Sequence, residues 1–412
     1  MTGFFRSRWV EPPAHASEVA PTALPRGFRA AGVAAGIKPE GLDVGVLASD
    51  SPETVSAARF TTNARVGAPV IVSRQAELGG LRAVAVNSGC SNVGDGQRGL
   101  ETAAAMQAAA AAKLGLEARE VAVASTGVIG TELPRDRVVS GVEAACDALG
   151  LDAAGFAEAI LTSDAGPKCA CLDVRLPDGE GVRLAAQAKG AGMISPRFAT
   201  MLCFVQTDAA LSRETLDLLT GVCVKRSFDR VSVDGQLSTS DSVFALASGA
   251  AGAPVEPESP AELALGEALD ALMRQLALDI VADGEGARRV GRIVVNGRPN
   301  AVEPVARSVA NSPLVKAALH GGDPNFGRLL QAAGQAWPAG EPFVADLELE
   351  GHLLVSAGDA LELSAADAAA VEELAGGDEV EYRLTLPGEG GETEVFFSDL
   401  SPAYVEFNAT RS

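Results

Sequence analysis

Short apolar runs separated by turn-forming residues recur along the chain. LDVGVLAS (43–49 in its apolar part), GAPVIVS (67–73), RAVAVNSG (82–89) and EVAVASTG (120–127) read as strands bounded by Gly, Asn and Ser. Between the last two, ETAAAMQAAAAAKLG reads as an alanine-rich helix stopping at Gly115, where a left-handed cap costs little. Further strands are expected near 200–206, 242–248, 290–295, 343–349, 379–385 and 393–398. The strongest helix begins at SPAELALGEALDALMRQLALDI, with Ser259 as N-cap, Pro260 at the first helical position and Glu262 completing a capping box. Its Leu265, Leu269, Leu272, Met273 and Leu276 share one stripe. Residues 1–25, rich in Pro, Ala and Ser, read as an arm or loosely docked tail.

Strands in runs, with helices interspersed but no regular βαβ period, give an α/β class of mixed β-sheets layered with helices. No glycine-rich dinucleotide or phosphate fingerprint follows a strand in the required form. The chain has 412 residues, 47% of them hydrophobic and only 4% aromatic, so a sizeable core of small, closely packed side chains is expected. A net charge of −21 repels phosphate backbones and anionic lipids, which argues against nucleic-acid or membrane partners. No apolar run is long enough to span a bilayer and the N-terminal stretch lacks an apolar signal region, so the expected location is cytoplasmic. Six scattered cysteines, Cys90, Cys146, Cys169, Cys171, Cys203 and Cys223, read as reduced, small apolar residues. With only His15, His320 and His352 available, neither a histidine-based metal site nor a Ser-His-Asp triad is expected.

One stretch, KGAGMISPRFATMLCFVQTDA (189–209), runs from glycines through an Ala199-Thr200 step directly into core sequence. A threonine hydroxyl needs a base held beside it. If the bond before Thr200 were cut, the freed α-amine, with a pKa of ~7.7–8.0, could take the hydroxyl proton itself. From these residues alone, an ordinary loop entering a strand is the commoner reading.

The motifs around it change that reading. RGFRAAGVAAGIK, STGVIG (125–130), TSDAGPK (162–168), KGAGMISPRFATML (189–202) and RSFDRVSVDGQLSTSDS (226–242) occur in the order of the ornithine acetyltransferase family of arginine biosynthesis. DGEGARRV (283–290), NSPLVKAALHGGDPNFGR (311–328) and DLSPAYVEFN (399–408) continue the series, so the chain resembles that family over nearly its whole length.

The resemblance implies a self-processing fold of the ornithine acetyltransferase and aminopeptidase kind, cleaved between Ala199 and Thr200 into an α chain, 1–199, and a β chain, 200–412. Thr200 would carry the acetyl group from N2-acetylornithine to glutamate in a ping-pong cycle. Thr126 and Gly127 correspond to the oxyanion-hole donors. Thr162, Lys189, Thr200, Glu285, Asn408 and Ser412 correspond to substrate contacts. Lys189 is suited to an α-carboxylate, Glu285 to an ammonium group, and Asn408 to a carboxylate or amide oxygen. The resemblance implies no metal and no bound cofactor, and it leaves acetyl-CoA open as a co-substrate, a capacity with no evident sequence mark. It also implies a heterotetramer of two α and two β chains.

The sequence departs from the family pattern at Arg288 and Arg289, which replace a threonine and lysine, at NSGCSNVGDG (87–96) and in a tail one residue short. Two other functions stay open at this point. One is an amidohydrolase or aminopeptidase that passes the acyl group to water, and the other is an unprocessed relative that only binds ligands.

Overall fold

In the computed structural model, alternate residues of the first strands face two different cores, which explains their nearly unbroken apolar sequences. The structure describes residues 3–177, 179–195 and 201–410. They form two compact units, the first drawn from Met1–Gly190, Arg197–Asp229 and Leu237–Ala277, the second from Ala191–Pro196, Arg230–Gln236 and Leu278–Ser412. This division is not the one expected at residues 199/200, which concerns a covalent junction.

The first unit contains two sheets. Phe28–Val33, Val44–Ser49, Ala83–Asn87 and Val121–Ser125 form a four-stranded sheet in that order. Ala16–Glu18, Lys168–Arg175, Gly181–Lys189, Leu202–Thr207, Ser242–Ala247 and Val55–Phe60 form a six-stranded one. Val44, Val46, Ala83, Ala85, Val121 and Val123 pack under helices Gly96–Leu114 and Arg135–Asp147. Their neighbours Leu47, Val84, Val86, Ala122 and Ala124 instead meet Leu202, Phe204, Phe244 and Leu246 of the six-stranded sheet. Strands buried on both faces lose the polar alternation of a half-exposed strand. Few rings are needed, because alanine and valine let the layers approach closely.

Two expectations are corrected here. GAPVIVS is not a strand: Ala68–Arg74 is a helix with Pro69 in its first turn, where the missing N–H is not required. In a strand the same proline would have left a gap in the ladder. From Gly3 onward the N-terminal stretch is docked rather than loose. Ala16–Glu18 pairs antiparallel with Lys168–Arg175, and Gln275 Oε1 accepts the N–H groups of Arg6 and Ser7 at 3.1 and 3.2 Å.

Both helix signals have structural counterparts. Gly115 adopts φ 66° as the left-handed cap of Gly96–Leu114. Ser259 Oγ accepts from Glu262 N–H at 3.1 Å, whereas the Glu262 carboxylate reaches past Ser259 to Glu258 N–H. The second unit is a seven-stranded sheet, ordered Val231–Ser232, Gly391–Ser398, Val290–Gly297, Glu379–Thr385, Asp346–Leu349, His352–Ser356 and Asp359–Ala360. Helices Pro299–Ala310, Pro313–Gly321, Phe326–Gln335 and Ala365–Ala375 supply the other side of its core.

Candidate active site

The strand Val121–Ser125 ends in a turn that carries Thr126 and Gly127. Thr126 N–H donates to Asn87 O at 3.0 Å, and Ser125 Oγ donates to the Asn87 side-chain oxygen at 2.6 Å. Asn87, fully buried, also donates to Cys90 O at 2.9 Å, so one amide ties both arms of the turn together. Gly127 takes φ +129°, and a Cβ there would lie 2.4 Å from Gly89 C and 2.6 Å from Cys90 N. Only glycine fits this close approach of the Gly127 backbone to Gly89 and Cys90.

Lys189, the last residue of Gly181–Lys189, directs its ammonium into the same place. Nζ donates to Thr126 Oγ1 at 3.2 Å and to Thr162 Oγ1 at 2.5 Å. The side chain is only 5% exposed, and its charge is answered by Asp164, 3.6 Å away and fully buried. Asp164 also takes Lys168 Nζ at 2.8 Å, Gly190 N–H at 2.6 Å and Thr162 N–H at 3.1 Å. Burial pushes the Asp164 carboxyl up, but Lys189, Lys168 and the Gly190 amide outweigh it and hold its pKa below the usual carboxylate range. Two lysines thus converge on this one carboxylate. Lys38, whose pKa burial lowers despite the pull of Asp43 and Glu158, donates to Leu161 O at 3.1 Å.

Ser125, Thr126, Lys189, Met201, Leu202, Ser240 and Asp241 line a small cavity of about 10 Å³, room for roughly one water. Larger cavities of about 700 and 760 Å³ elsewhere contain none of the expected site residues. Among the described residues no cluster of His, Cys, Asp and Glu could hold a metal, and no helix is long and apolar enough to cross a membrane. The six cysteines are unbridged, with burial pushing the Cys171, Cys203 and Cys223 thiols well above their usual range.

The ArgJ family profile matches residues 29–412. The chain belongs to the ArgJ family. An arginine biosynthesis bifunctional protein ArgJ from Rhodopirellula baltica is 40% identical over 94% of this chain and 95% of its own length. Its namesake from Nitratidesulfovibrio vulgaris is 41% identical over 94% and 99%. A crystal structure of ornithine acetyltransferase complexed with ornithine, from Mycobacterium tuberculosis, is 36% identical and covers 44% of this chain and 98% of that one, with a TM-score of 0.40.

Of the residues expected at the site of this ArgJ-family chain, Thr126, Gly127, Thr162 and Lys189 come together in the first unit. Glu285 and Asn408 come together in the second, where Asn408 Nδ2 donates to Glu285 Oε2 at 2.9 Å and to Tyr404 O at 3.0 Å. Both amide protons are thereby used, so a substrate carboxylate would have to displace one of these bonds. Ala199, Thr200 and Ser412 lie outside the described residues.

Sequence reasoning missed Asn87, Asp164, Lys168 and Asp241, none of which carries a local signal. It also missed Lys316, buried over the Phe397 ring and donating to Ser398 O and Oγ. Burial lowers its pKa to about 7, against the opposing pull of Asp234 and Asp399.

Proposed function

We propose that this chain cleaves itself between Ala199 and Thr200 and then transfers acetyl from N2-acetylornithine to glutamate through an acetyl-Thr200 ester. The observation that carries the reading is the meeting of Thr126, Gly127 and Lys189 at one turn, in a chain whose relatives are named for arginine biosynthesis.

In the first half-reaction the Thr200 oxygen attacks the acetyl carbonyl carbon while its α-amine takes the hydroxyl proton. Lys189 donates to Thr126 Oγ1, so the Thr126 O–H proton remains available for the developing oxyanion, alongside the Gly127 N–H. The C–N bond then breaks, the proton passes to the departing nitrogen, and ornithine leaves. Glutamate enters with a neutral α-amine, attacks the ester carbonyl, and departs as N-acetylglutamate with the proton returned to Thr200. Lys189, buried between Thr126 Oγ1 and Thr162 Oγ1 at the end of its strand, supports binding of the α-carboxylate that both amino acids carry. Thr162 keeps Lys189 in place. Glu285, Asn408 and Ser412 complete the proposed contacts, and two α and two β chains form the proposed assembly.

The test is an incubation of purified protein with N2-acetylornithine and glutamate, beside a denaturing gel. Two fragments and N-acetylglutamate are expected, with Thr200→Ala remaining one band. Acetate release independent of glutamate would show a hydrolase instead, and a single intact band without product would remove the proposal.

A further inference from the structure

Met201 opens the strand Leu202–Thr207 and is held from two directions. Its N–H donates to Asp241 Oδ1 at 3.1 Å, and its carbonyl accepts from Ser242 N–H at 3.1 Å. Asp241 is itself fixed, being 1% exposed with its carbonyl bonded to Thr61 N–H at 3.0 Å, and it lines the same cavity as Thr126 and Lys189. From Leu202 onward the chain is locked in register, Leu202 opposite Lys189 on one side and Ser242 on the other. Among the described residues, the bond to Asp241 is thus the anchor nearest residue 200 in this strand.

We propose that Asp241 is the positioning residue for the nucleophile: by holding the amide that joins residues 200 and 201, it keeps the Thr200 end in place through self-cleavage and through acetyl transfer. This rests on the processing reading above. The physical need is clear. A peptide amide is planar, so fixing the Met201 N–H fixes the plane that runs back to the preceding Cα. A newly cut N-terminus otherwise frays, and a nucleophile displaced by about 1 Å loses on the order of 100-fold in rate. A carboxylate accepting a backbone N–H is the stronger kind of anchor.

A similar hold lies upstream. Met193, at φ +58°, and Ile194 donate their N–H groups to Asp234 at 2.6 and 2.9 Å, and Ile194 O accepts from Val233, Asp234 and Gly235. Asp234 and Asp241 both come from RSFDRVSVDGQLSTSDS, a stretch whose local chemistry gives no hint of this task.

The experiment expresses the full chain as wild type, Asp241→Ala and Asp241→Asn, and follows conversion to two fragments with time. Fully processed material is then assayed for kcat and KM. Asp241→Ala should cleave and turn over at least about tenfold more slowly with KM nearly unchanged. Asp241→Asn keeps an acceptor oxygen and should recover most of both rates; it also serves if the alanine variant fails to fold. Wild-type rates in Asp241→Ala overturn the inference, as does Asp241→Asn slowed equally with KM raised in step. A wild type that never cleaves removes the processing reading and this inference with it, whereas a cleaving wild type isolates the role of Asp241.

Discussion

Lys189 Nζ and Thr126 Oγ1 lie 3.2 Å apart although 63 residues separate them in the chain. The ammonium orients the hydroxyl as an acceptor toward itself, so the hydroxyl proton points to other partners. The site can in this way present a neutral donor whose direction is already set, which is the condition for electrostatic stabilisation without reorganisation.

Removing that donor tests its role. Thr126→Ala should lower kcat about 100- to 1000-fold, the loss typical of one oxyanion donor, with little change in melting temperature. Steady-state acetyl transfer by the processed protein measures it.

Gly127→Ala should act on the fold as well as on the rate. A methyl group 2.4 Å from Gly89 C forces apart two backbone segments at a φ that alanine avoids. A destabilisation of about 2–3 kcal/mol is expected from strain and overpacking, read as a lower urea midpoint at unchanged slope.

Acid should uncover Asp164. Its folded pKa lies below the unfolded value, so it contributes stability that is complete above the usual carboxylate range and is lost as pH falls from that range down through the lower folded value. Asp164→Asn should cost about 3 kcal/mol at pH 7, because Lys168 and Lys189 lose their buried counter-charge, and the stability it retains should depend less on acid. Urea unfolding at pH 7 and pH 2 compares the two proteins.

Lys316 predicts the opposite limb. Its folded pKa, about 7, lies below the unfolded value, so between that point and the ordinary lysine range the unfolded chain binds the extra proton. From this group, stability should rise with pH there, by at most about 1.4 kcal/mol per pH unit. Lys316→Met should lack that component, and denaturant midpoints at pH 7, 8 and 9 would reveal it. Parallel pH slopes in the two proteins would contradict the assignment.

The three buried strands Val44–Ser49, Ala83–Asn87 and Val121–Ser125, the glycine-capped helix and the STG turn were legible because each depends on neighbours in sequence. Ala83–Asn87 needs its apolar run, Gly96–Leu114 its alanines and Gly115, and the turn its Gly127. GAPVIVS misled because a short apolar segment fits a strand or a buried helix equally well, and the decision fell to Pro69 and to the surroundings of Val70 and Val72.

By itself the sequence determined several of the buried strands, the helices Gly96–Leu114 and Pro260–Ala282, the likeness to a family of acetyl-transferring enzymes, and the residue types able to carry the chemistry. Only the tertiary structure decided which charges meet. Asp164 between Lys168 and Lys189, Asn87 beneath the STG turn and Asp241 on Met201 are ordinary polar residues in sequence. Their roles arise from burial, where a charge or amide must find a partner, and that partner can lie many residues away.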